Sequence, residues 1–235
     1  KPLDGNHGSL HPVSSEYVER GIPFLLASDV RKGKIDLDNC KFISEKRANE
    51  LQKGFAKEGD ILLTHKGTVG EVAKVPKSNF PFVMLTPQVT YYRVLDKSKL
   101  NPDFLLQYFQ SKQFQNELSR VSGGGTRAYV GITQQRKLKL VLPSIQNQER
   151  IAQILSTWDE AIEDVEELIE KKKRLRRTFL QTIVVGKKKI AEFKNSKWIA
   201  KSLSELGAIV SGGTPDTTQN EFWDGQIAWC TPTDI

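Results

Sequence analysis

The feature that most constrains the fold of this chain is a stretch of 40 residues that lacks helix breakers. Between Gln146 and Val185 the sequence contains neither proline nor glycine, the two residues least compatible with the interior of a helix. Ser144 or Asn147 can cap the start of a helix, and Gly186 can end it. At about 1.5 Å per residue, the stretch predicts one helix of roughly 60 Å.

This helix carries an apolar stripe with the spacing of a coiled coil. With Ile151 at heptad position a, apolar residues fill most a and d positions and extend to the e side. The predicted helix-pairing residues are Ile151, Ile154, Leu155, Trp158, Ile162, Val165, Leu168, Leu175 and Phe179. The first half of the helix is acidic from Asp159 to Glu167, and the second half is basic from Lys171 to Arg177. We therefore expect a second, antiparallel helix of the same kind to cover the stripe.

Residues 1–143 predict a basic α+β domain. Short strands and helical segments follow one another in a mixed order, which is typical of α+β rather than of alternating βαβ folds. The block holds 22 Lys and Arg against 14 Asp and Glu, whereas residues 191–235 hold 3 against 6. A basic domain favours a polyanionic partner such as nucleic acid, although the charge alone is equally compatible with a basic domain that has no such partner.

Local patterns divide this domain further. We predict strands over residues 21–30, 84–95 and 138–143, and a hairpin over residues 59–75 that turns at Lys66-Gly67-Thr68. A helix is expected from Ser44 to Gly54. A helical stripe extends from Phe104 to Leu118, and we expect Asn101 to cap its start and Pro102 to occupy its first turn.

Four segments of the domain are candidates for contact with DNA. Lysines in the 31–35 loop can contact phosphates, and polar residues of the hairpin turn can contact phosphates or base edges. Gln88 can form two hydrogen bonds to adenine, and Arg127 can do the same with guanine. The candidate residues are Lys32, Lys34, Thr64, His65, Lys66, Thr68, Gln88, Arg127 and Tyr129. Each segment also has an interpretation without DNA. The lysines can belong to a solvated turn, the glycines of the hairpin can serve backbone geometry alone, Gln88 can face solvent, and Arg127 can lie in a flexible loop.

The sequence offers no catalytic constellation, so we do not expect an enzyme. No Gly-Lys-Ser/Thr follows the glycines at 123–125, which excludes a phosphate-binding P-loop. His7 and His11 are separated by a glycine and followed by a proline, and no Cys-x-x-Cys is present, so neither a metal site nor a cofactor is expected. Two distant cysteines fit a reducing compartment, and no apolar run reaches membrane-spanning length, so we expect a cytoplasmic protein without a membrane partner.

One pattern occurs near both ends of the chain. Glycines in a polar turn are followed by a short apolar strand that closes on Asp29-Val30 near the start and on Asp234-Ile235 at the end. We interpret the order as module, long helix, and the opening of a second module that begins near Trp198. Because position 1 is lysine, we expect the start of the first module to be trimmed.

Three groups of segments resemble the specificity subunit of type I restriction-modification systems. They are GIPFLLASDVRKGKI with KFIS and GDILLTHKGTVGEVAKV; LPSIQNQERIAQILSTWDEAI; and LSELGAIVSGGTPDT with EFWDGQIAWCTPTDI. One departure is Asn147-Gln148, where such subunits usually carry Glu-Gln, and it costs one charge at the helix start.

The resemblance implies a division into three parts. Residues 1–143 would form a target-recognition domain, residues 144–190 a spacer helix, and residues 191–235 the opening of a second recognition domain. Each domain would read half of a split site in double-stranded DNA. The paired helices, from one full-length chain or from two copies, would set the gap and dock the methyltransferase and restriction subunits, which carry the catalysis.

A different class of function stays open at this point. The chain could be a self-associating coiled-coil scaffold whose basic domain binds acidic proteins. Loss of DNA binding on charge reversal at Lys66 and Arg127, with assembly unchanged, would separate the two hypotheses.

Overall fold

The strands of the computed structural model, which describes residues 2–122 and 128–234, form two sheets and a separate hairpin. The strands are β1 Leu3–Asp4, β2 Tyr17–Val18, β3 Ile22–Leu25, β4 Val30–Arg31, β5 Lys34–Ile35, β6 Lys41–Ile43, β7 Phe55–Ala56, β8 Ile61–Lys66, β9 Thr68–Lys74, β10 Val83–Leu85 and β11 Val89–Tyr92. One sheet has the order β1-β11-β8-β9, the other has the order β2-β6-β3-β10-β7, and β4 pairs with β5. Only the β3–β10 pair is parallel among these strands.

The helices follow the strands in the chain, apart from one early short helix. They are α1 Glu45–Glu50, α2 Pro102–Gln110, α3 Lys112–Val121, α4 Ile132–Gln135, α5 Ile145–Phe179 and α6 Leu203–Leu206, and a π-helical segment, Leu180–Val184, continues α5. Sheets and helices are therefore combined in an α+β architecture with one long helix, as the sequence predicts.

Contacts divide the chain into two compact units, Lys1–Glu167 and Leu168–Ile235. In the first unit, the apolar faces of the sheets are buried against each other and against α2 and α3. Phe109 and Phe114 stack at a ring distance of 4.2 Å in this core. In the second unit, the residues expected to begin a packed module are 54–85% exposed: Trp198, Ile199, Leu203, Leu206, Ile209 and Val210.

Several local predictions are confirmed. The Ser44 hydroxyl accepts a hydrogen bond from the backbone N–H of Arg47 at 3.1 Å, which caps α1. The Asn101 side chain accepts from the N–H groups of Asp103 and Phe104, with Pro102 as the first residue of α2. The hairpin of β8 and β9 turns at Gly67, whose φ of 81° lies in the left-handed region that favours glycine.

Other local predictions are wrong at particular residues. The strand expected over residues 84–95 is interrupted by Thr86, Pro87 and Gln88, and the strand over residues 21–30 ends at Leu25, where a 3₁₀ turn follows. Residues 102–121 form two helices, because Ser111 leaves the helical conformation and caps α3 through the N–H of Phe114. Residues 138–143, expected to be a strand, have no regular secondary structure.

Candidate nucleic-acid interface

A cleft of about 350 Å³ lies where β3, β8 and β10 end. Backbone pairing brings these ends together: the N–H of Thr86 donates to the carbonyl of Leu25 at 3.0 Å, and the N–H of His65 donates to the carbonyl of Gln88 at 2.9 Å. Polar residues of the lining are His7, His11, Tyr17, Lys66, Thr86 and Gln88. Two of the residues predicted to bind DNA, Lys66 and Gln88, therefore share one concave surface, which we call the strand-end cleft.

Tyr129 lies next to the hairpin tip. Residues 128–130 pair with the end of β8, with Lys66 opposite Tyr129, and the N–H of Val130 donates to the carbonyl of His65 at 2.9 Å. The Tyr129 ring is 48% exposed, so its hydroxyl is available to a ligand outside the domain. Arg127, the predicted guanine-binding residue, lies outside the described residues.

Four predicted DNA-contacting residues, Lys66 included, occupy the hairpin itself, and two of them are buried. Thr68 is exposed at the turn, whereas Thr64 and His65 have no exposed surface. The Thr64 hydroxyl accepts from the N–H of Glu71 at 3.0 Å, and His65 Nδ1 lies 3.0 Å from the carbonyl of Val130. Their side chains fix the geometry of the hairpin and present no atom to an external ligand.

The burial of His65 gives stability a pH dependence. Burial lowers the pKa of the ring below its ordinary value of 6.5, because the imidazolium loses hydration in the core. The hydrogen bond to Val130 and the charge of Asp4 raise the pKa by a smaller amount, whereas His7 and Lys66 lower it further. The unfolded chain binds the proton at about pH 6.5, and the folded chain only at lower pH. Stability is therefore complete above pH 6.5 and falls as pH decreases.

We expect His65→Asn to reduce this dependence. The asparagine amide can still donate to the Val130 carbonyl but takes up no proton. Between pH 7 and pH 5, the wild-type unfolding free energy should fall by up to about 1.4 kcal/mol per pH unit for each buried histidine, and the variant should fall less steeply. Urea unfolding midpoints across this range provide the measurement. If the unfolding free energy depended on pH equally in the two proteins, His65 would not be the source of the dependence. Burial also lowers the pKa of His11, so we expect the variant to keep part of the dependence.

The two predicted phosphate-binding lysines of the 31–35 loop lie against the acidic half of α5. Lys34 Nζ is 2.7 Å from Glu163 Oε2, and Lys32 Nζ is 3.9 Å from Glu166 Oε1. Gln107 of α2 adds a hydrogen bond of 2.6 Å to Asp159. These contacts connect the domain to the helix, and because all the charged partners are largely exposed, each ion pair contributes at most about 1 kcal/mol. DNA contact by Lys32 and Lys34 stays a prediction, in competition with these carboxylates.

The apolar stripe of α5 is exposed along the helix. The predicted helix-pairing residues are exposed by 39–66%: Ile151, Ile154, Leu155, Trp158, Ile162, Val165, Leu168, Leu175 and Phe179. Within α5, only Gln148 and Ala152 are buried. A row of large apolar side chains in water is unfavourable by roughly 25 cal/mol per Å² of apolar surface, so the helix has an unpaired face suited to a second helix.

Sequence reasoning missed the role of Gln148 at the start of α5. Its side chain is 1% exposed, its Oε1 accepts from the N–H of Asn101 at 2.9 Å, and its Nε2 donates to the carbonyls of Lys99 and Pro143. The long helix is therefore joined to the start of α2 by a single amide side chain. The sequence signals were a glutamine one turn inside a predicted helix start, which is also common on exposed helices, and its match to the glutamine of the usual Glu-Gln pair.

A basic domain with a concave polar surface, joined to a long helix with an exposed apolar stripe, is typical of nucleic-acid-binding proteins that pair through helices. The sequence profile of the family described as "Type I restriction modification DNA specificity domain" matches residues 13–174. This match spans more than two thirds of the chain, from before β2 to the second half of α5, and the chain belongs to this family.

Individual relatives agree with the family. The type I restriction enzyme MjaVIII specificity subunit of Methanocaldococcus jannaschii is 25% identical over 178 residues, which cover 74% of this chain and 41% of the relative. The MjaIX specificity subunit of the same organism is 28% identical over 132 residues, covering 55% and 29%. The crystal structure of a type I restriction-modification S subunit from M. genitalium has the same fold, with a TM-score of 0.54 and 17% identity over 77% of this chain and 42% of that one. The chain thus spans about two fifths or less of each of these relatives.

In the described ranges, no helix is both long and apolar enough to cross a bilayer. Over the same ranges, no group of three or more potential metal ligands comes together. The relatives are named as specificity subunits, and that this chain is not itself a catalyst stays a prediction.

Proposed function

We propose that this chain recognises a sequence in double-stranded DNA on behalf of a type I restriction-modification complex. The observation that carries the proposal is the family match over residues 13–174, because it includes both the basic domain and most of the long helix. The domain reads one half of a split site, and the tail from residue 191 opens a second recognition domain. Methylation and cleavage belong to other subunits.

The DNA-contacting surface that we propose is the strand-end cleft together with the hairpin tip. Lys66 and Thr68 are exposed at the turn, Gln88 lines the cleft, and Tyr129 pairs opposite Lys66. Lysine, hydroxyl and amide groups are the usual contacts to phosphates and base edges. The exposed lysine at the tip suits a phosphate, and the half-buried glutamine suits a base edge.

Helix α5 supports the spacing role that we propose. Its 35 residues correspond to about 52 Å at 1.5 Å per residue, and half-sites on one face of DNA lie about 34 Å apart. The exposed stripe pairs with an antiparallel helix of the same kind, whose acidic half faces the basic half of α5. The paired helices then offer a surface to which the modification and restriction subunits dock.

Charge reversal at the hairpin tip tests DNA binding. We expect Lys66→Glu to lower the affinity for duplex DNA about tenfold at 100 mM salt and to reduce the slope of log K against log salt by roughly 1, because one phosphate contact is lost. Fluorescence anisotropy on the chain in complex with the modification subunit measures both quantities.

Lys77→Glu is the matched control. Lys77 is an exposed lysine of the loop between β9 and β10, away from the strand-end cleft, so the same change of charge should have a smaller effect. Equal losses in the two variants would assign DNA binding to overall charge. Unchanged affinity in both, with assembly intact, would favour the scaffold that binds acidic proteins.

A further inference from the structure

Two histidines that sequence analysis set aside lie in the strand-end cleft. His7 and His11 flank a 3₁₀ turn, Gly8–Leu10, near the start of the chain, and both line the cleft opposite the hairpin tip. The cleft therefore holds two imidazoles and a lysine. Its other polar groups are the hydroxyls of Tyr17 and Thr86 and the amide of Gln88. Every one of these polar groups can donate a hydrogen bond, and no carboxylate is part of the lining.

The side chain of His11 is held in place without using all of its hydrogen-bonding capacity. Its ring packs against Phe24 at a centroid distance of 5.6 Å, and its Nδ1 is buried without a hydrogen-bond partner among the described residues. Thr86, which is 4% exposed, has an Oγ1 in the same condition. A buried polar atom without a partner costs about 1–3 kcal/mol, and such an atom is completed by an ordered water or by a ligand.

His7 is oriented by a chain of charged contacts behind the cleft. Its Nε2 lies 2.7 Å from Asp4 Oδ2, and Asp4 Oδ1 lies 2.7 Å from Lys53 Nζ. Asp4 is thus engaged by a lysine and an imidazole. A second carboxylate, Glu16, lies close enough to interact with His11 and is paired with Arg47 at 2.6 Å. The ring of His7 is 53% exposed. Because Nε2 donates to Asp4, Nδ1 donates to an anion only when the ring carries a proton on both nitrogens.

We propose that the strand-end cleft is a phosphate-binding subsite for the DNA backbone, formed by His7, His11 and Lys66. The inference rests on the proposed function, because it assumes that the ligand of this surface is DNA. A concave site rich in donors suits a protruding phosphate better than it suits a base edge within the groove. In this arrangement the phosphate fixes the register of the domain on the duplex, and Gln88 beside it reaches toward a base.

Single-phosphate neutralisation tests the subsite. First, a library of duplexes with a random central segment is selected for binding to the wild-type chain in complex with its modification subunit. The enriched duplex is then synthesised in versions that each carry one methylphosphonate, which removes one negative charge. We expect wild-type affinity to fall roughly tenfold at one phosphate. In His11→Phe, which keeps the ring packing against Phe24, the fall at that position should shrink to about threefold or less.

The outcomes separate the two proposals. If no duplex is enriched by the wild-type complex, the proposed function itself is wrong. If a duplex is enriched and His11→Phe keeps the full wild-type loss at every position, only the phosphate subsite is wrong. His7→Leu provides the same test at an exposed residue that is hydrogen-bonded to Asp4. The subsite can therefore be refuted even if His11→Phe fails to fold.

Discussion

Leu168→Asp on the exposed stripe of α5 should abolish self-association of the chain. We expect the wild type to form an antiparallel dimer with a dissociation constant on the order of micromolar. In the dimer Leu168, at heptad position d, would be buried against the second helix. Because each copy carries the substitution, the dimer loses the burial of two leucines, worth about 4 kcal/mol together, and places two carboxylates in an apolar seam, which adds to the cost. A dissociation constant weaker by at least about 100-fold follows, and sedimentation equilibrium measures it.

Gln153→Asp is the control for the helix seam. Gln153 lies at position c on the opposite face of the same helix and is exposed, and the substitution adds the same charge. The dissociation constant of the Gln153→Asp dimer should stay within about threefold of the wild-type value. A wild type that stays monomeric at 100-fold above the expected dissociation constant, or equal weakening in both variants, would show that the stripe is not a pairing surface.

Gln148→Leu should destabilise the first unit by about 3 kcal/mol. The leucine fills a similar volume but leaves the Asn101 N–H and the carbonyls of Lys99 and Pro143 without their partner. Each unsatisfied buried group costs about 1–3 kcal/mol, and partial hydration of the carbonyls reduces the sum. Chemical denaturation gives the change in unfolding free energy.

Gln146→Leu, two residues earlier in the same helix, makes the identical substitution at an exposed site. Its effect should stay within about 0.5 kcal/mol. If the two variants unfolded at the same denaturant concentration, the connection between α5 and α2 through Gln148 would not contribute to stability.

The features that sequence predicted correctly depend on local chemistry. Helix α5 follows from the absence of proline and glycine between Gln146 and Val185, and its capping Ser144 hydroxyl accepts from the N–H of Asn147 at 3.4 Å. The hairpin follows from Gly67 between two apolar runs. In each case the residues that determine the element are its own, so a single sequence contains the information.

The features that sequence missed depend on residues far apart in the chain. Gln148 is buried because the start of α2 packs against it, some 47 positions earlier, and nothing in its local pattern indicates this. Lys34 looked like a free phosphate contact, but Glu163 of α5 lies 2.7 Å from it. His65 looked like a turn residue until residues 128–130 covered it. Such placements are set by tertiary packing, which overrides local preference.

The same limitation applies to the strand-end cleft. His11 and Lys66 are 55 positions apart, and only the ends of β3, β8 and β10 bring their surroundings together. The local sequence of His7 and His11, with a glycine between them and a proline after them, predicts no metal pair on a helix. Their potential as hydrogen-bond donors to an anion is seen only in the folded domain, where Lys66 of the hairpin tip lines the same cleft.

Selection from a random duplex library by the wild-type complex with its modification subunit decides whether the chain reads DNA sequence. We expect strong enrichment of a short motif, interrupted by an unread gap, with at least roughly 1,000-fold preference over unselected duplex at physiological salt. Recovery of all sequences with equal affinity would show that the chain does not read sequence.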